Sequence, residues 1–247
     1  MVRKFVGLLG HSIQAYGHNI KLISAFSLPF LVAFPLALSL PNFVSLGGIF
    51  LRIGSIRSLS VLEAAYIVAA FFVSLLLFSF AIVAINVVLR SQRTLTHLTH
   101  YEVEKIEHCT FRYFRIMFIA FLAGLAANIF LFEQGLHYTV GAVVSFGLAV
   151  AVLFAAQAIV IDDMRGWNAV GRSISLIFHQ FKHFVLFMAF AAVLLVANDF
   201  FFLQLQSGAG LGMAAKYLAV AVNSLLILPF LEVLKTQIYL SKYSLLD

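Results

Sequence analysis

Six apolar runs of membrane-crossing length, separated by short segments that carry most of the charge, restrict this chain more than any motif in it. They lie at about 22–40, 61–89, 112–132, 139–161, 183–205 and 217–234. A helix rises about 1.5 Å per residue and the hydrocarbon core of a bilayer is roughly 30 Å thick, so about 20 apolar residues are needed to cross. Hydrocarbon offers no partner to a bare N–H or C=O, which leaves helices and closed barrels as the spanning structures. The alternating pattern of a barrel strand is absent. The expected fold is therefore all-α: one integral membrane domain over residues 1–247, with six transmembrane helices. Composition agrees, since 63% of the residues are hydrophobic and only 11% charged, against roughly 45–50% and 25% in soluble domains. The mean hydropathy is +1.04.

The segments between the runs are informative too. In residues 1–21, Phe5, Leu8, Leu9, Ile13, Tyr16 and Ile20 recur at helical spacing, with Lys4, His11, His18 and Lys21 opposite. This reads as an amphipathic helix in the plane of the interface rather than a signal peptide. Residues 162–182 read the same way: Trp167, Val170, Ile174, Ile177, Phe178 and Phe181 form one stripe, and Asn168, Arg172, Ser175, His179 and Lys182 the other side. Trp167 is expected at headgroup level. The first run contains Pro29 and Pro35, which predict a kinked helix. Residues 42–60, rich in Gly and Ser, are expected to be a loop, and 90–111 a polar cytoplasmic segment.

Placing the N-terminus in the cytoplasm puts thirteen of the sixteen Lys and Arg residues on that side and leaves Arg52, Arg57 and Lys216 outside. That skew obeys the positive-inside rule, so both termini are expected to be cytoplasmic and the membrane to be the cell membrane. The net charge of +6 is spread over segment ends, which suits anionic lipid and not nucleic acid. The lone Cys109 cannot form an internal disulfide. Each pair of runs follows one polar or amphipathic segment (1–21, 90–111, 163–182). Aligning the first with the third matches Ser12 to Ser173, Ile13 to Ile174, His18 to His179 and Lys21 to Lys182, a threefold repeat of interfacial helix plus hairpin.

Three sets of residues are candidates for chemistry. Asp162 and Asp163 are placed to cap the helix that follows them, or to pair with Arg165 or Arg172, or to form a substrate or ion site. His97, His100, Glu104 and His108 would share one face of a continuous helix, a ligand set suited to zinc or another divalent ion. That helix would spread them over about 16 Å, so another segment, bearing His179, His183 or His11, would have to complete the shell. The plain alternative is a solvated polar face. The third set lies within the runs: Asn86, Asn128, Gln157, Asn198, Asp199, Asn223 and Glu232. Intramembrane ionisable groups face the bundle interior and mark function or interhelical bonding. Glu232 has Lys235 three residues on and is expected close to water, whereas Asp199 has no cation nearby in sequence. Phosphate loops, His-Glu-x-x-His and Gly-x-Ser-x-Gly are all missing, and no cofactor is expected.

The run AIVIDDMRGWNAVGRSISL resembles a segment of the membrane domain attached to glycerophosphodiester phosphodiesterases and of the YciC-like inner-membrane proteins. It carries an apolar run, the acids Asp162-Asp163, Gly166, and Ala169 followed by Ser173 on a helix. The resemblance implies a six-span membrane module and no phosphodiesterase activity, because no catalytic domain accompanies it. Three functions are then in play. One is a non-enzymatic subunit or scaffold of a membrane assembly, or an envelope-lipid factor, with lipids and other membrane subunits as partners. The others are a small transporter or channel, and a membrane enzyme with a His/Glu metal site.

Overall fold

A computed structural model describes residues 2–39, 43–46, 49–52, 61–91, 100–132, 134–208 and 213–241. The apolar runs fold as helices: α1 (Val2–His18), α2 (Ile20–Ser39), α3 (Val61–Ser91), α4 (His100–Phe132), α5 (Ala142–Val152), α6 (Ala155–Val160), α7 (Trp167–His179), α8 (Phe181–Gly208), α9 (Met213–Val222) and α10 (Leu228–Ser241). Among the described residues five stretches are long and apolar enough to cross a membrane: Val68–Ser91, Glu102–Phe132, Thr139–Val160, Phe181–Gln206 and Ala214–Ser241. The first run forms the 20-residue α2, whose described apolar part, Ile20–Ala33, is shorter. It continues through Pro29 and Pro35 as one helix.

One expectation about the connections is corrected and another is extended. Within 42–60 the structure has an antiparallel hairpin, β1 (Phe43–Leu46) and β2 (Ile49–Arg52), with Phe43 opposite Arg52 and Leu46 opposite Ile49. Aromatic and β-branched residues favour strands, and the Gly47-Gly48 between them is a two-residue hairpin signal. Downstream, the polar segment does not end before the third run. Helix α4 is continuous for 33 residues, about 50 Å, and so outruns a 30 Å hydrocarbon core with its polar first third.

Helix α3 is the centre of the bundle. From Ala81 to Leu89 every residue is buried, Asn86 included, as a helix apolar all round must be. It packs against α2, α4, α6 and α10.

The sixth run is helical from Met213 to Ser241 but passes through a π-helical turn at Asn223–Ile227. Pro229 accounts for it: proline has no N–H to give to the carbonyl four residues back and its ring crowds that carbonyl. The carbonyl is that of Leu225, and it accepts the Tyr16 hydroxyl at 3.1 Å. An α1 side chain thus supplies the hydrogen bond that the proline removes.

Both amphipathic helices pack on the rest of the protein, which splits their apolar stripes. On α1, Phe5 and Ser12 are buried and Leu8, Leu9 and Tyr16 half-buried, while Ile13 is exposed. On α7 the buried face is Ala169, Val170, Ser173, Leu176 and Ile177. Trp167, Ile174, Phe178 and Phe181 are left outward, Phe178 being 76% exposed. An outward row of this kind is what a helix lying on lipid presents.

Candidate functional site

The fourth run is one stretch of crossing length, Thr139–Val160, but its helix is interrupted at Leu153-Phe154 between α5 and α6. Neither Pro nor Gly marks the place; the backbone groups freed there are bonded from other helices. Phe154 N–H donates to Ser173 Oγ at 3.0 Å, and Leu153 C=O accepts from Lys235 Nζ at 3.3 Å. An unpaired amide in such a setting would cost several kcal/mol. Every residue of α6 is buried, and its Ala155, Ala156 and Ala158 are small enough to let α3 and α7 approach closely.

One face of α10 ties these pieces together. Glu232, Lys235, Thr236 and Tyr239 are buried and recur at helical spacing. Lys235 Nζ lies 2.5 Å from Glu232 Oε1. Gln157 Nε2 donates to Glu232 Oε2 at 3.4 Å. The Thr236 hydroxyl sits 2.6 Å from Asn86 Oδ1 and 2.9 Å from the Glu232 carbonyl. Tyr239 donates to Asp162 Oδ2 at 2.7 Å. Three polar residues far apart in sequence, Asn86, Gln157 and Glu232, thereby meet in one network. The expected Glu232–Lys235 pair is present, but the expectation that Glu232 lies close to water is corrected, because both side chains are under 10% exposed.

The acidic turn does not cap α7. Its N-cap is Gly166, with no side-chain hydrogen bond to the helix start. Residues 161–166 are consumed in reversing the chain, which leaves both carboxylates too far back to reach the first free amides. Gly166 sits at φ 53, ψ −131, a conformation only glycine adopts readily, and Asp163 at φ 56. Asp162 accepts from Tyr239 and from Arg172 Nε at 3.4 Å. Asp163 faces Arg112 at 3.6 Å, and Arg165 is exposed. Arg90 donates to the Val160 carbonyl, joining the end of α3 to the end of α6. The turn is a junction of α3, α4, α7 and α10.

Beside it lies an open cavity of about 310 Å³ lined by Glu104, Lys105, His108, Cys109, Arg112 and Asp163. It joins two candidate sets that the sequence keeps apart. Of the proposed metal ligands, His97 lies outside the described residues, and only the backbone of His100 is described. His108 Nε2 is 2.6 Å from Arg112 Nη2, so that nitrogen accepts from a guanidinium. Among the described residues no three His, Cys, Asp or Glu side chains converge as metal ligands.

The remaining polar residues of the spans sit elsewhere. Asn128 donates to Gly124 O at 2.8 Å and Ser145 Oγ at 3.0 Å. Asn198 bonds α8 to its neighbour, donating to Asn223 Oδ1 at 3.1 Å and Ala219 O at 3.3 Å. Asp199, expected to face the interior, is exposed and has no hydrogen-bond partner among the described residues. One helix position carries the side chain roughly 100° around the axis, which separates the two fates. Thr236, Tyr239 and Lys105 are functional candidates that sequence reading passed over; the first two were signalled by spacing from Glu232 of four and seven residues. Comparisons with protein-family models, with curated proteins and with solved structures give no match to this chain.

Proposed function

We propose that this chain is a non-enzymatic multi-pass membrane module with six spans and both ends in the cytoplasm, acting as a subunit or scaffold of a membrane assembly or as an envelope-lipid factor. The observation that carries the reading is the treatment of the interior charges. Glu232 and Lys235 are spent on each other, on Gln157 and on the carbonyl freed at the helix break. Such a network holds helices in register. Six spans are supported by the 20-residue α2 beside the five longer helices, and the orientation by the cation skew. Equivalent ends support the likeness of the first and third copies of the repeat. Helices α1 and α7 stop at the aligned His18 and His179, α2 and α8 begin two residues on, and Ser12 and Ser173 are fully buried. The resemblance to the YciC-like proteins is carried by Asp162-Asp163, Gly166, Ala169 and Ser173, and these residues lie at the turn or the helix break.

A transporter is the second reading. It is favoured by the break itself, since interrupted spans line ion sites in transporters, and by Gln157 Oε1, which is buried without a partner among the described residues. Flux measurements on the purified chain in liposomes separate the two. The module reading expects proton and monovalent-cation flux equal to that of empty liposomes. Flux that Glu232→Gln abolishes would establish the transporter instead.

A further inference from the structure

The cavity at the acidic turn lies where α3 and α6 end and α4 becomes apolar, the level at which lipid headgroups lie if the helices cross the membrane as proposed above. We propose that it holds a phospholipid headgroup, the phosphodiester on Lys105 and Arg112 and a primary ammonium on Glu104 and Asp163.

The charges argue for a ligand of both signs. Lys105 is half-buried and has no ion-pair or hydrogen-bond partner among the described residues. Burial weighs most against its charge, Arg90 and Arg112 add to that, and Asp163 offsets part of it. A cation held among cations is a place for an anion, and Arg112 brings the planar fork that suits phosphate. The carboxylates are no better satisfied. Glu104 is exposed without a partner among the described residues. Asp163 meets Arg112 only at 3.6 Å and is 65% exposed, a separation too long for a hydrogen bond. Its left-handed backbone and the Gly166 turn aim it at the α4 face. Size sets the occupant. About 310 Å³ is the lower end of the range for small-ligand pockets, enough for a headgroup and too little for acyl chains, which would lie outside against the exposed apolar surface.

The test is native mass spectrometry of the full chain in detergent, titrated with short-chain phosphatidylethanolamine and with phosphatidylcholine of the same chains. The trimethylated ammonium has no N–H to give to a carboxylate, so the first lipid should bind about 10-fold tighter. Lys105→Gln should weaken it by about 10-fold and Lys182→Gln, at the start of α8 and outside the cavity lining, by less than about 2-fold. Glu104→Gln should erase the preference between the two lipids and keep binding. Equal affinity for both lipids, or an unchanged Lys105→Gln, overturns the site. Displacement by soluble phosphoethanolamine at matched concentration overturns the lipid source in favour of a soluble phosphate ester. Release of the chain from membranes by alkaline carbonate would instead overturn the membrane reading on which the proposal rests.

Discussion

Replacing Lys235 by Met removes two contacts and strands one charge. The 2.5 Å pair with Glu232 goes, the Leu153 carbonyl at the helix break loses its donor, and a carboxylate under 10% exposed is left with Gln157 alone. Breaking a buried ion pair from one side costs about 3–5 kcal/mol in soluble proteins, whereas a polar contact between membrane helices averages nearer 0.6 kcal/mol. The loss should fall between those two limits, so we expect about 2–3 kcal/mol for Lys235→Met. At roughly 2–4 °C per kcal/mol for a chain of this size, the melting temperature should fall by about 4–12 °C. Cys109 makes the measurement simple: it is the only cysteine and is buried, so its reaction with a thiol dye reports unfolding in detergent. The double variant Glu232→Gln with Lys235→Met leaves no uncompensated charge and should regain at least half of the loss. A single-variant shift under about 1 °C, or a double variant less stable than the single, would refute the claim that these charges serve each other.

Other expectations follow from the same contacts. Ser173→Ala strands the Phe154 N–H and should cost about 1–3 kcal/mol in the Cys109 assay, with Ser173→Thr recovering part of it. Tyr16→Phe should destabilise the chain by about 1 kcal/mol, and should do so less in a Pro229→Ala background, where the Leu225 carbonyl regains a backbone donor; equal losses in both backgrounds would refute the proline account of the π-turn. Asp199→Asn should leave the melting temperature within about 1 °C, because Asp199 is exposed. With Cys109 replaced by Ser, membrane-impermeant labelling of Lys21→Cys and Lys182→Cys should occur from one side and of Lys216→Cys from the other; labelling of all three from one side would refute the six-span topology.

Much of the architecture was legible from residues 1–247 as text. A run of twenty apolar residues has no soluble alternative, and the bilayer's demand for bonded backbone makes it a helix whatever its neighbours do. The amphipathic character of 1–21 and 163–182 was equally plain, because period 3.6 is a local property. So was the pairing of Glu232 with Lys235, one turn apart on one helix.

What distance in sequence hides, folding alone revealed. Nothing in AVLFAAQAIV announces a break after Leu153; it exists because Ser173 and Lys235, from two other segments, accept and donate where the helix does not. The acids at 162–163 were open to capping or to pairing with Arg165 or Arg172, and the turn's length decides for pairing, setting Asp162 against Arg172 and Tyr239 and Asp163 against Arg112. Asn198 and Asp199 are neighbours with opposite surroundings, and only the rotation of α8 in the bundle assigns them. Backbone satisfaction within a segment is a short-range requirement and can be read along the chain. Which side chain completes a distant carbonyl, or faces a cavity, depends on how helices rotate and pack against one another, and that is settled by contacts between residues far apart in the sequence.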